Sequence, residues 1–225
     1  MNSRILFHGS PEIIRIPELS KGKLTNDFGQ GFYCTEERAL ASEWACTEGR
    51  DGYVNQYEMD MDGIHILNLG KEDFTVLHWL TILIEYRKLR LSSPVMRRGA
   101  AWLIRNFHTD LAPFDMVIGY RADDSYFSFV RAFLSNTISL EQLSRAMKLG
   151  KLGEQIVLKS EKAFRTIRFV GCERAENSVY YVRRKARDEG ARKQYLKLLE
   201  DDSADGMYLR DLIREEVAPD DARIR

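Results

Sequence analysis

Apolar residues along this chain change rhythm repeatedly, and each change predicts an element. Arg4–His8 (RILFH) is a short apolar run that stops at Gly9-Ser10-Pro11, the punctuation of a strand reaching a turn. A polar stretch follows; Gly31–Thr35 (GFYCT) then reads as a second strand and Glu36–Cys46 as a helix. Residues 53–69 alternate on both sides of Asp62-Gly63, which predicts a β-hairpin turning there. The spacing becomes helical through Phe74, Leu77, Leu80, Ile84 and Leu91, and again over Val95–Phe107, opened by Pro94. Asp115–Tyr120 (DMVIGY) has the composition of a buried strand. Residues 125–134 and 139–149 read as two helices, the second begun by Ser139 with Gln142 three positions on, a capping box. Residues 154–160 (EQIVLKS) and 167–173 (IRFVGCE) return to strands, and from Val179 the pattern is a charged helix. Strands at both ends of a helical middle predict an α+β chain, not a regular alternation of strand and helix.

Composition narrows the choice. With 225 residues, 44% apolar and 30% charged, the chain suits one globular body over residues 1–175 with a charged helical extension over 176–225 packed on or beside it. Lys+Arg and Asp+Glu cancel at 34 each, so a contact with nucleic acid or membrane has to be local. Cys34, Cys46 and Cys172 share no metal-ligand or disulfide spacing, which points to a reducing, cytoplasmic setting. The opening MNSRILFHGS is too short and polar for a signal peptide, and the apolar run near residue 80 is broken by His78, Glu85 and Arg87 before it could span a bilayer.

Gly29-Gln30-Gly31 within NDFGQGFY invites a nucleotide-fingerprint reading. That reading fails because Cys34 stands where a third glycine or alanine is needed and no buried strand precedes Gly29; a P-loop is excluded because no GK[ST] occurs. A wider pattern fits better. His8-Gly9-Ser10 closes the first strand, Tyr33 lies in GQGFY, and Glu154 opens EQIVL. In this order FHGS, FGQGFY and EQIVL resemble the ADP-ribosyltransferase superfamily of the poly(ADP-ribose) polymerase and diphtheria-toxin type, marked by His, Tyr and Glu on three strands. More narrowly, with DMVIGYRADDSYF ahead of EQIVLKSEKAF, residues 4–172 resemble a bacterial family of unassigned function often encoded in toxin–antitoxin-like loci.

The resemblance implies an ADP-ribosyltransferase fold of two small packed sheets flanked by helices, with a catalytic domain over 1–175. NAD would be the co-substrate, with no metal, and the acceptor a macromolecule, protein or nucleic acid. An antitoxin or immunity protein is an implied partner and a membrane is not. Cleaving the nicotinamide–ribose bond builds positive charge on the ribose, which a nearby carboxylate stabilises. The resemblance assigns that role to Glu154, a stacking role against nicotinamide to Tyr33, and ribose positioning to His8. Gly9, with Ser10 beside it, would meet the carboxamide through its backbone. Eight and eleven positions after Tyr33, where the polymerase-like branch has a serine and an aromatic, stand Ala41 and Trp44; Trp44 would be a second wall, while Ala41 lacks the hydroxyl. The narrower family often has glutamine where Gln155 stands. Adjacent strand residues face opposite sides, so one of Glu154 and Gln155 faces the cleft; the offset to Ile156-Val157 favours Glu154.

Each residue also has a plain reading: Tyr33 and Trp44 as core aromatics, His8 as a satisfied buried histidine, the glycines as turn residues. Arg121, Asp123 and Asp124 follow a buried strand, as a helix cap or as a rim to the site. His65, His78 and His108 share no spacing and read as structural or surface residues. Basic residues interleaved with tyrosines from Val179 to Leu199 read as a solvated helix face with an aromatic side toward the core, or as an RNA contact, and Met207–Val217 as a short amphipathic helix for the body or a partner. An NAD glycohydrolase, an RNA 2′-phosphotransferase, a degenerate NAD- or ADP-ribose-binding module, and a helical interaction protein all remain open on this pattern.

Overall fold

The first apolar run forms β1 (Ser3–Ser10), which continues through Gly9 and Ser10 because both pair with the next long strand, β3 (Gly52–Asp60). The structure, a computed structural model, describes residues 2–71, 73–122, 126–147, 149, 153–200 and 206–224. Within these, β2 (Phe32–Cys34) and α1 (Arg38–Ala45) fall where the pattern expects them. So do α2 (Val76–Tyr86), α3 (Pro94–Phe107), β5 (Met116–Tyr120), α4 (Tyr126–Leu134), α5 (Leu140–Ala146), β6 (Glu154–Leu158) and β7 (Ile167–Ala175). Ser93 caps α3 ahead of its first-turn proline, and both bonds of the Ser139–Gln142 capping box at α5 are made. A six-residue helix, α6 (Glu161–Thr166), is too short to leave a periodic signature; its cap, Ser160, accepts from the Ala163 N–H.

The strands sort into two sheets. One is antiparallel, in the order β1-β3-β7; the other has the order β2-β6-β5-β4, with β4 (Ile66–Asn68) parallel to β5 and the remaining pairs antiparallel. The hairpin expected about Asp62-Gly63 is therefore absent. Gly63 does turn the chain, at φ 72°, but both edges of β3 are already taken by β1 and β7, so β4 crosses to the second sheet. The chain is thus a mixed α+β protein with two small sheets and eight α-helices among the described residues.

Strand alternation divides the core. Ile156 and Leu158 of β6 join Phe32, Met116 and Ile118 against Leu6, Tyr57 and Met59 of the first sheet. Val157, pointing the other way, joins Phe28, Leu77, Leu80, Leu103 and Phe133 in the core between the second sheet and the helices. The two sheets meet at Phe7 and Thr35, which exchange backbone hydrogen bonds of 2.8 and 2.9 Å.

The extension packs on this body. α7 (Asn177–Glu200) buries Ala191 and packs the partly buried Tyr180, Tyr181 and Tyr195 against the core. Polar ties hold it: Arg187 to Glu43 of α1 at 2.7 Å, the Asn177 N–H to Asp51 at 2.8 Å, and Gln142 Nε2 to the Leu198 carbonyl at 3.2 Å. Tyr195 adds a ring contact with Phe129 at 4.1 Å. α8 (Leu209–Arg214) buries Leu209 and Leu212, the former against Gly99 of α3, so this amphipathic helix docks on the body. No helix among the described residues is long and apolar enough to cross a membrane.

Candidate functional site

The site is built where the ends of β1, β2 and β6 converge. His8 Nδ1 lies 2.7 Å from the Tyr33 carbonyl oxygen, and its ring stacks on Phe32 with centroids 4.3 Å apart. Because the partner is a carbonyl, Nδ1 donates and Nε2 is left as an acceptor. Burial lowers the imidazole pKa, opposed by the bond to Tyr33, so the ring stays neutral at physiological pH.

Gly9 follows on the same strand. Phe7 turns its N–H and C=O toward Thr35, and backbone direction repeats every second residue, so Gly9 turns its own N–H and C=O the same way, along the edge of β1 and into the cleft that it lines. A Cβ at Gly9 would lie 1.9 Å from the Ala41 carbonyl oxygen and 2.7 Å from the Ala45 nitrogen, so the glycine is first a requirement for packing α1 onto β1. Ala41 itself is fully buried under that contact and Ser10 is spent within the 10–14 turn; Ser10 accepts from Asn55 Nδ2 and donates to the Glu12 carbonyl. Neither Ala41 nor Ser10 lines the cleft in which their binding roles are expected.

Tyr33 lines the cleft with its hydroxyl anchored, donating to the Gly29 carbonyl at 2.6 Å and accepting from the Phe28 N–H at 3.0 Å. Gly29 has φ 74°, so the glycine pair shapes the turn that receives this hydroxyl. Lys159 ties the same turn by donating to the Phe28 and Gln30 carbonyls.

On β6 the structure corrects the expected position by one residue. Glu154 shares the strand face of Ile156, is exposed, and holds its carboxylate beside Gly70, away from the cleft. Gln155 shares the face of Val157, is 3% exposed and lines the cleft. Its Nε2 donates to Asp27 Oδ2 at 2.9 Å and to the Tyr120 carbonyl at 3.1 Å. Both partners are acceptors, which fixes the amide so that Nε2 faces them and Oε1 is turned from them.

Asp27 is the residue that sequence reading missed. It is 5% exposed, lines the cleft, and accepts from the Ala122 N–H at 3.0 Å as well as from Gln155; Arg87 Nη1 stands 3.5 Å from its other oxygen. Burial raises its pKa, opposed by the bonds from Ala122 and Gln155 and by the charges of Arg87 and Arg121. In sequence, Asn26-Asp27 before a glycine reads as turn chemistry, and no local signal links it to residues near 87, 122 and 155.

The whole cleft encloses about 1160 Å³. Trp44 lines it, but Arg121 lies over the indole with its guanidinium carbon 4.6 Å from the centroid, so one face of the expected second wall is covered. The Trp44 Nε1 atom is buried with no hydrogen-bond partner among the described residues. Arg15, Lys21 and Lys23 of the 11–31 loop, Arg87, Arg121, and Arg184, Lys185 and Arg192 of α7 give the lining eight cations. Four carboxylates, Glu12, Glu18, Asp27 and Asp188, face them, so the cleft is cationic although the chain is neutral. Asp123 and Asp124 lie outside the described residues. Among the described residues no group of three or more His, Cys, Asp or Glu side chains is placed to hold a metal. His78 instead caps α2 with Thr75, and His108 pairs with Glu85 at 2.7 Å.

Fold and cleft together define a mixed α+β protein with a cationic pocket at the junction of two small sheets. Within that class the chain belongs to the DUF3990 family, described as a protein of unknown function, which matches residues 4–169. No curated protein and no solved structure matches it.

Proposed function

We propose that this chain is a mono-ADP-ribosyltransferase that breaks the nicotinamide–ribose bond of NAD and passes ADP-ribose to a macromolecular acceptor. The observation that carries the reading is convergence: His8 and Gly9, Tyr33 and Gln155, from three separate strands, line one cleft large enough for a dinucleotide. In this reading Gly9 offers backbone N–H and C=O to the carboxamide, the Tyr33 ring forms a wall against nicotinamide, and His8 Nε2 accepts from a ribose hydroxyl. The surplus of cations suits the pyrophosphate. The C1′–N bond breaks with its electron pair leaving on nicotinamide, positive charge develops on the ribose, and the acceptor nucleophile adds at C1′ and gives up its proton to water. The functional strand residue is then Gln155 in place of Glu154. A bacterial toxin role with a cognate antitoxin or immunity protein is part of the proposal and rests on the resemblance alone.

Gln155 in place of a carboxylate also favours a second reading, an NAD- or ADP-ribose-binding module without turnover. One experiment separates them. Labelled NAD is incubated with the purified chain and cell lysate, nicotinamide release is followed, and labelled product is digested separately with protease and nuclease. Release with Gln155→Ala reduced about 100-fold, and with Glu154→Gln within a few-fold of wild type, supports the transferase. Thermal stabilisation by NAD with no release supports the module. Neither stabilisation nor release rejects both.

A further inference from the structure

The proposed reaction needs negative charge near the ribose, yet the strand residue that faces the cleft is a neutral amide. The only carboxylate in hydrogen-bond contact with it among the described residues is Asp27. We infer that Asp27 supplies, through Gln155, the negative charge that a glutamate on β6 would otherwise carry, so that the two side chains act as one acceptor unit. This rests on the transferase reading.

The geometry gives the route. Gln155 Nε2 donates one hydrogen to Asp27 Oδ2 at 2.9 Å and the other to the Tyr120 carbonyl at 3.1 Å. Both amide hydrogens are thus engaged, which leaves Oε1 as the amide atom outside these two bonds, on a residue that lines the cleft. A hydrogen bond from an amide N–H to a carboxylate pulls electron density toward the carbonyl oxygen, and in a water-poor site the effect is stronger than in solution. Oε1 is then placed to accept the 2′-OH of the nicotinamide ribose more strongly as charge develops at C1′. Asp27 takes up no proton in this step. It is a positioning residue, and Gln155 is the group in contact with substrate.

The surroundings of Asp27 suit such a role. The Ala122 N–H at 3.0 Å and Gln155 share Oδ2, while Arg87, following α2, stands 3.5 Å from Oδ1. Arg121, following β5, contributes a favourable charge, and Tyr33 on β2 faces the same centre with a neutral hydroxyl. Burial raises the pKa of the carboxyl, and the bonds from Ala122 and Gln155 and the charges of Arg87 and Arg121 oppose it. Activity should accordingly fall on the acid side as Asp27 takes up a proton.

Asp27→Asn isolates the charge, since the amide oxygen can still accept from the Ala122 N–H and Gln155 Nε2. Expected results are a kcat for nicotinamide release at least about tenfold lower, a KM for NAD within about twofold, and loss of the acid limb of the pH–rate profile. The double variant Asp27→Asn with Gln155→Glu moves the carboxylate forward by one side chain and should recover most of kcat. If wild type turns over NAD while Asp27→Asn keeps its kcat and acid limb, or if the double variant stays as slow as the single one, this inference is overturned and the transferase reading stands. If wild type releases no nicotinamide under any acceptor condition, the reading fails and the inference with it.

Discussion

Asp27 is expensive to bury, and its neighbours offset only part of the cost. Its folded pKa lies above the unfolded value, so the ionised carboxylate destabilises the fold at every pH above that raised value; the penalty fades as pH falls and is gone below the unfolded pKa. Asp27→Asn is therefore expected to raise the thermal midpoint near neutral pH by about 2–4 °C. The gap between wild type and variant should close as the melts are repeated at progressively lower pH. A gain in stability together with a loss of turnover is the signature of a group kept for function. Asp27 also shows what a sequence hides at this scale. Its partners are Arg87, Ala122 and Gln155, up to 128 positions away, and nothing beside Asp27 in the chain announces them. The convergence of His8, Gly9 and Tyr33 on one cleft is legible because each stands in a short motif whose order can be compared; the same motifs say nothing about which atoms packing consumes, as at Ser10 and Ala41.

At the scale of elements, periodicity placed most strands and helices, because one buried face per element is a local property of the chain. It could not choose between Glu154 and Gln155: alternation says that they face opposite ways, while which way the cleft lies depends on β1, β2 and the 26–29 turn. The hairpin error has the same origin, since the turn at Gly63 is local and the occupied edges of β3 are not. The interleaved tyrosines point to a side of α7 that faces the core, while its ion pair between positions 43 and 187 has no local signal. Glu43 is 4% exposed and its pKa is raised by burial, opposed chiefly by Arg187 and less by Arg121 and Arg183. Arg187→Ala leaves that carboxylate without its nearest cation and should cost about 2 kcal/mol in urea unfolding, below the range for a fully isolated buried charge because the other two arginines remain. Glu43→Ala leaves an arginine that water can reach and should cost less.

For the whole molecule, neutrality conceals an uneven distribution of charge. Cations outnumber carboxylates eight to four around the cleft, and three of the eight come from α7, beyond the 4–169 stretch that defines the family. For the proposed NAD site, affinity is expected to weaken as ionic strength rises from about 50 to about 200 mM, because exposed charges are screened over roughly 10 Å. Replacing both Arg184 and Lys185 by alanine should lower the affinity and flatten its salt dependence, as titration calorimetry at several salt concentrations would register. An unchanged slope would show that α7 does not act on the ligand.

The Phe7–Thr35 bridge bears on all of this. Its two hydrogen bonds, with the third from His8 to the Tyr33 carbonyl, lie within two residues of the groups that would grip the nicotinamide end of a ligand. They rivet the two sheets together beside His8, Gly9 and Tyr33, so backbone pairing sets the spacing of these three groups as if on a single anvil, and the widening that the proposed dinucleotide would need falls to the 11–31 loop and α7, which supply much of the remaining lining.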